Sequence, residues 1–192
     1  VITARPLRVD AQRNRDRLLA EAATVFAERG AEAPLEEVAR RADVGIGTLY
    51  RHFPTRGALI EAVYRHEVAV LCDAAAALLA TDPPVEALER WLQRFVDYVA
   101  AKRGMAEALR AVIDADSDLF ADSHRRISEA IELLVTAGVR AGEIRGDVEP
   151  FDLLRAVGGI CLAPTAAEDW RQHAMRLVSL LVDGMRYTTA RR

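Results

Sequence analysis

The densest chemistry in the chain lies in the run Gly45-Ile46-Gly47-Thr48-Leu49-Tyr50-Arg51-His52-Phe53. It offers a hydroxyl, a phenol, a guanidinium and an imidazole, all groups that hydrogen-bond to phosphates or base edges. At 100° per residue, Leu49 and Phe53 share one face of a helix, while Gly47, Thr48 and Arg51 gather on the opposite one. One face is therefore core and the other recognises something. Tyr50 and His52 project about 100° to either side of the outward face, as suits the two phosphate walls of a groove. Arg51 and Thr48 are then the candidates for base edges.

A recognition helix needs elements that hold it. The amphipathic segment 34–41 precedes it across a turn too tight to be a flexible linker, so the pair reads as a helix-turn-helix. Underneath, the spacing predicts a first helix capped by Asp10, with Leu18, Leu19, Ala22, Val25 and Phe26 on its apolar face and Gly30 at its end. Leu35, Val38 and Ala42, then Leu49 and Phe53, then Leu59, Ile60 and Val63 complete one small core. Pro54 stops the third helix and Thr55 can cap a fourth, which is expected to run to about Ala80 and to act as a lever between two domains.

On these residues the chain resembles the TetR family of bacterial transcriptional regulators. The resemblance is carried by Glu37-Val38-Ala39 and Val44, by Gly47-Thr48-Leu49-Tyr50-Arg51-His52-Phe53, and by Thr55-Arg56 with Ala58-Leu59. It is specific over residues 10–65 and architectural beyond. It implies an all-α fold: an N-terminal three-helix DNA-binding domain with the helix-turn-helix, residues 1–54, and a helical ligand-binding and dimerisation domain, residues 55–192. Carried over by motif position, Thr48 and Arg51 fall at base contacts, and Tyr50, His52 and Arg56 at phosphate contacts. Gly47, Ile46 and Thr55 complete the expected DNA-binding set. Three positions depart from the family pattern. Pro34 stands where a Thr or Ser often opens the second helix, Asp43 replaces the usual turn Gly, and Gly45 replaces a Ser before the third helix. Each is physically tolerable, and each removes a hydroxyl or some backbone freedom.

Charge is distributed as a polyanion-binding protein requires. The net charge is −3, yet residues 1–66 carry 11 Arg against nine acids, whereas residues 67–192 carry 15 Lys or Arg against 20. Arg5, Arg8, Arg13, Arg15 and Arg17 form a basic arm, expected to strengthen binding without choosing the sequence bound. No apolar run approaches the roughly 20 residues of a membrane span, and the first residues are not a signal peptide, so a cytoplasmic protein is expected. Cys72 and Cys161 lack the spacing of a disulfide framework or a zinc site and read as small buried hydrophobes.

Beyond residue 80 every segment again reads as helix, punctuated by Pro83-Pro84, Gly104, Gly138, Gly142, Gly146 and Pro164. Trp91, Phe95, Tyr98, Met105, Leu109, Ile113, Phe120 and Ile127 come from the helices that, in the resembled family, surround an inducer cavity. With no Lys or Arg recognisable inside that apolar stripe, they suit a small apolar or aromatic effector. The same residues at helical spacing also describe plain core. The last two helices, 150–162 and 166–187, carry more apolar positions than one flank of a monomer needs, among them Leu177, Leu181 and Val182. With Gly158-Gly159 permitting close approach, they resemble the family's four-helix dimer bundle.

Enzymatic chemistry lacks a foothold. The triplet Asp114, Asp116, Asp118 has neither the Gly nor the Glu of a calcium loop and reads as a capped turn. The four histidines show no paired-ligand spacing, and Ser123-His124 diverge on a helix and make no dyad. No catalytic residue, metal or cofactor is expected. The sequence therefore predicts a ligand-responsive, dimeric repressor of a palindromic DNA operator, with an effector-free architectural DNA binder as the alternative and a helical enzyme as a weaker one.

Overall fold

Proline and glycine stand at many of the breaks between helices. The computed structural model describes residues 5–115, 117–162 and 170–186, with side chains from Asp10 onward except those of 111–119. Nine α-helices account for most of the described residues: α1 (Arg5–Arg29), α2 (Leu35–Arg41), α3 (Ile46–His52), α4 (Arg56–Leu79), α5 (Pro84–Gly104), α6 (Ala106–Ala115), α7 (Ser117–Arg140), α8 (Pro150–Leu162) and α9 (Trp170–Met185). Among these residues the only β feature is an isolated antiparallel bridge between Ile144 and Arg186. The side chains of Arg5, Arg8 and Ile113, the acidic triplet and Pro164 lie outside what is described.

Helix α1 begins earlier than its sequence signal, at Arg5, so Asp10 sits inside the helix and does not cap it. Pro6 explains the difference: its fixed φ suits a first helical turn, and the N–H it lacks would have been unpaired there. Thr55 caps α4 as expected, its Oγ1 accepting the Ala58 N–H at 3.1 Å.

The chain packs as two units. One comprises Val1–Glu67 with Ala101–Leu119, the other Val68–Ala100 with Phe120–Arg192. The first division falls inside α4, some 13 residues beyond the boundary expected from sequence, because the first turns of α4 supply core to the helix-turn-helix. Leu18, Leu19, Val25, Phe26, Val38, Leu49, Leu59, Ile60 and Val63 are all but inaccessible to solvent and form the core of this first unit.

Residues 101–119 join that core from far along the chain. Gly104, the last residue of α5, lies against the C-terminal turn of α1 so closely that a Cβ there would stand 1.9 Å from the carbonyl oxygen of Phe26. The glycine read from sequence as an interruption is a site of close helix approach.

In the second unit, side-chain bonds tie α5 to the elements around it. Its N-terminal Val85 N–H donates to Glu143 Oε2 at 3.0 Å, Glu89 accepts the Ser179 hydroxyl at 2.7 Å, and Asp97 pairs with Arg171. Helix α9 turns Ala174, Val178, Val182 and Met185 into the unit. Leu177 and Leu181 are half-buried, and Leu180 is 66% exposed. The outermost leucine of α9 is thus Leu180, one residue from the Leu181 singled out by periodicity.

Candidate nucleic-acid interface

The turn between α2 and α3 is built from hydrogen bonds that end one helix abruptly and start the next. Val44 N–H bonds to the Ala39 carbonyl at 3.0 Å and Asp43 N–H to that of Arg40 at 3.2 Å, the paired pattern of a Schellman motif. Asp43 occupies its left-handed position at φ 53°, which a short polar side chain tolerates better than most. Gly45 then stands extended before α3, its carbonyl accepting Thr48 N–H at 2.8 Å. All three departures from the family pattern fit: Pro34, Asp43 and Gly45 each take a backbone conformation open to them.

Helix α3 is held from beneath by Leu49 and Phe53, both buried. Arg15 of α1 places its guanidinium 5.5 Å from the centre of the Phe53 ring, a cation–π contact that braces the end of α3. On the other side, Gly47, Tyr50 and Arg51 are exposed, while Ile46, Thr48 and His52 are half-buried. Tyr50 is 46% exposed, high for an aromatic side chain with no packing role. Among the described residues, no group beyond the helix's own turn lies within 4 Å of where a Cβ on Gly47 would sit, which leaves this face open.

Thr55 and Arg56 follow at the start of α4. Thr55 is exposed, its hydroxyl oxygen engaged in the cap. Arg56 is half-buried, and its Nη1 donates to two backbone carbonyls of the α1–α2 loop, Ala31 at 2.5 Å and Ala33 at 2.7 Å. Sequence reasoning missed this clamp, because an arginine beside a helix-turn-helix has the same one-letter signal whichever oxygen it serves. It also missed Arg15 as a brace and Glu37 as a hub, whose carboxylate takes Arg29 and, at 2.9 Å, Arg41, which reaches Glu28 as well. Those ion pairs link α1 to α2.

His66, on α4, faces Asp16 and Arg15 of α1. Burial holds its pKa below the usual imidazole value, Asp16 pulling it up and Arg15 pushing it down.

The residues expected around an effector divide between the units. In the second, Trp91, Phe95 and Tyr98 form an aromatic run along α5, Trp91 and Phe95 stacked at 5.9 Å and Phe95 and Tyr98 tilted at 5.8 Å. All three are buried, as is Ile127; Phe120 is half-buried against His124. The Trp91 indole N–H is taken by the Leu71 carbonyl at 2.8 Å. Met105 and Leu109 are buried in the first unit. Burial pushes the Cys72 thiol up and away from reactivity. Among the described residues no three acidic, His or Cys side chains converge as a metal site would require, and no helix is long and apolar enough to cross a membrane.

Comparison with known proteins agrees with this architecture. Residues 18–63 match the family described as bacterial regulatory proteins, tetR family, and residues 83–187 match the C-terminal domain described as transcriptional regulator SbtR-like. A TetR transcriptional regulator from Streptomyces coelicolor shares 51% identity over 91% of this chain and 99% of its own, with a TM-score of 0.83. The TetR transcription regulatory protein from Mycobacterium vanbaalenii shares 35% over 95% and 100%, with a TM-score of 0.73. A TetR family regulator from Thermus thermophilus, at 21% identity over 87% and 97% and a TM-score of 0.56, shares the fold. No protein with curated function matches the chain.

Proposed function

The chain belongs to the TetR family of bacterial transcriptional regulators and is a DNA-binding regulator; from that premise we propose that it is a ligand-responsive repressor, acting in the cytoplasm as a homodimer on a palindromic operator. The observation that carries the reading is the two-sidedness of α3. Leu49 and Phe53 anchor it, while Arg51, Tyr50 and Gly47 stand clear of the protein. In this reading Arg51 and Thr48 meet base edges in the major groove, Gly47 allows close approach with Ile46 beside it, and Tyr50, His52 and Thr55 meet the phosphates on either side.

One such head covers only a half-site, so affinity requires a second. The outer faces of α8 and α9 support a homodimer. Phe151, Leu162 and Leu180 are exposed, Leu162 to 67%, and no other group lies near where a Cβ would sit on Gly158, Gly159 or Gly184. Large apolar side chains beside bare glycines are the surface two helices present to each other when backbones pack closely. A twofold dimer would set its recognition helices about 34 to 36 Å apart, one turn of DNA.

The effector in this reading is small and apolar or aromatic, and meets the rings of Phe95 and Tyr98. The polar tip of Trp91 is already committed to Leu71. Such a ligand would favour a tilt of α4 that spoils the spacing of the two heads, and by linkage operator DNA must weaken the ligand by the same factor.

The test is selection from random DNA with the full chain. Recovery of a twofold-symmetric sequence is expected, followed by its release when a library of hydrophobic small molecules is titrated in. Enrichment of asymmetric or featureless DNA would refute the dimeric operator, and release by none of the ligands would favour the architectural alternative.

A further inference from the structure

Pro34 leaves the start of α2 without the usual means of support. It sits at the N-cap with φ −58° and ψ 129° and makes no side-chain cap bond, so one backbone bond, Glu37 N–H to the Pro34 carbonyl at 3.1 Å, closes the first turn. The loop before it, residues 30–34, holds Ala31 and Ala33, both nearly inaccessible to solvent. Buried carbonyls in a loop need a group that supplies donors.

Arg56 is that group. Its Nη1 reaches the Ala31 and Ala33 carbonyls at 2.5 and 2.7 Å, across 25 and 23 residues of sequence. A terminal guanidinium nitrogen carries two hydrogens, and both are spent on the loop. Turning that nitrogen to a phosphate would free two buried carbonyls and the entry of α2 together. Charge-assisted bonds of this kind are among the stronger ones a protein makes. We propose that Arg56 is a positioning residue, which locks the α1–α2 loop and hence the pose of the helix-turn-helix, and which serves DNA affinity through that pose and not through a phosphate contact. The inference rests on the DNA-binding reading of α3 and reassigns one residue within it.

Two measurements decide it, on wild type, Arg56→Ala and Arg56→Gln of the full chain. Amide hydrogen exchange without DNA reports on the loop alone. Residues 30–37 should exchange faster in Arg56→Ala and less so in Arg56→Gln, whose carboxamide keeps two donors without the charge. Binding to a duplex selected by the wild type, followed from about 50 to 200 mM salt, reports on the phosphates. Arg56→Ala should lose roughly tenfold in affinity with an unchanged salt slope, because loosened geometry releases no counterions. A slope shallower by about 1.8, as expected if each subunit of a dimer no longer neutralised one phosphate, would overturn the proposal. So would unchanged exchange at residues 30–37. Should the wild type select no duplex, the DNA reading falls, and the exchange measurement still decides the clamp.

Discussion

The indole N–H of Trp91 donates to the backbone carbonyl of Leu71 at 2.8 Å, a bond that ties α5 to α4. Trp91 is fully buried and stacked on Phe95, so this bond fixes the rotation of the aromatic run along α5. Trp91→Phe keeps most of the ring and removes the donor. The expected cost is about 1 kcal/mol, read as a lower denaturant midpoint at constant slope. Trp170 remains as a fluorophore. A variant as stable as wild type would show that the bond merely replaces one the carbonyl already makes.

Arg51→Ala is expected to blur sequence choice more than it lowers affinity for arbitrary DNA. A base contact contributes roughly 1 to 3 kcal/mol of discrimination, while phosphate contacts act on all sequences alike. Competition between the selected duplex and a scrambled one measures it. Equal proportional losses on both would remove Arg51 from the bases.

Leu180→Glu should dissociate the dimer, whereas a change at half-buried Leu181 confounds assembly with folding. A carboxylate forced between apolar helices has no partner and is desolvated at high cost. Sedimentation at micromolar protein is the check, with operator binding expected to fail in parallel. An intact Leu180→Glu dimer would place the interface elsewhere.

Acid should weaken the DNA-binding unit through His66. Its folded pKa lies below the ordinary 6.5 because burial opposes the cation, with Asp16 and Arg15 as its charged neighbours. The unfolded chain therefore takes up a proton first as pH falls. Stability from neutral His66 is complete above the unfolded value and is lost as pH drops through it toward the folded one. Comparing denaturation midpoints at about pH 7.5 and 5.5, His66→Gln should lose less stability than wild type. Identical losses would mean that other groups carry the acid response.

The two-sidedness of α3 was legible in sequence, because a helix fixes the angle between residues. Leu49 and Phe53 could not face inward without turning Gly47 and Arg51 outward, and the structure has them so. The α2–α3 turn was equally readable, since Asp43 had to accept a left-handed backbone for so short a connection. What escaped reading depends on distance in space. Nothing near Arg56 in the chain announces that Ala31 and Ala33 wait with open carbonyls, and nothing near Gly104 announces the backbone of Phe26. On α9 the solvent-facing leucine is Leu180, 100° around the helix from the Leu181 that periodicity singled out.

The close seat of Gly104 against α1 sets an order of events during synthesis. The first unit is finished by residues 101–119, which leave the ribosome well after Glu67. At cellular elongation rates the interval between those points is roughly 3 to 10 seconds, during which the end of α1 has no neighbour at that face. A nascent head therefore spends that time without the neighbour that Gly104 brings to the backbone of Phe26. A fragment cut at Glu67 for biophysical work would be arrested permanently in the same state, so an isolated head should be made with residues 101–119 supplied, or not at all.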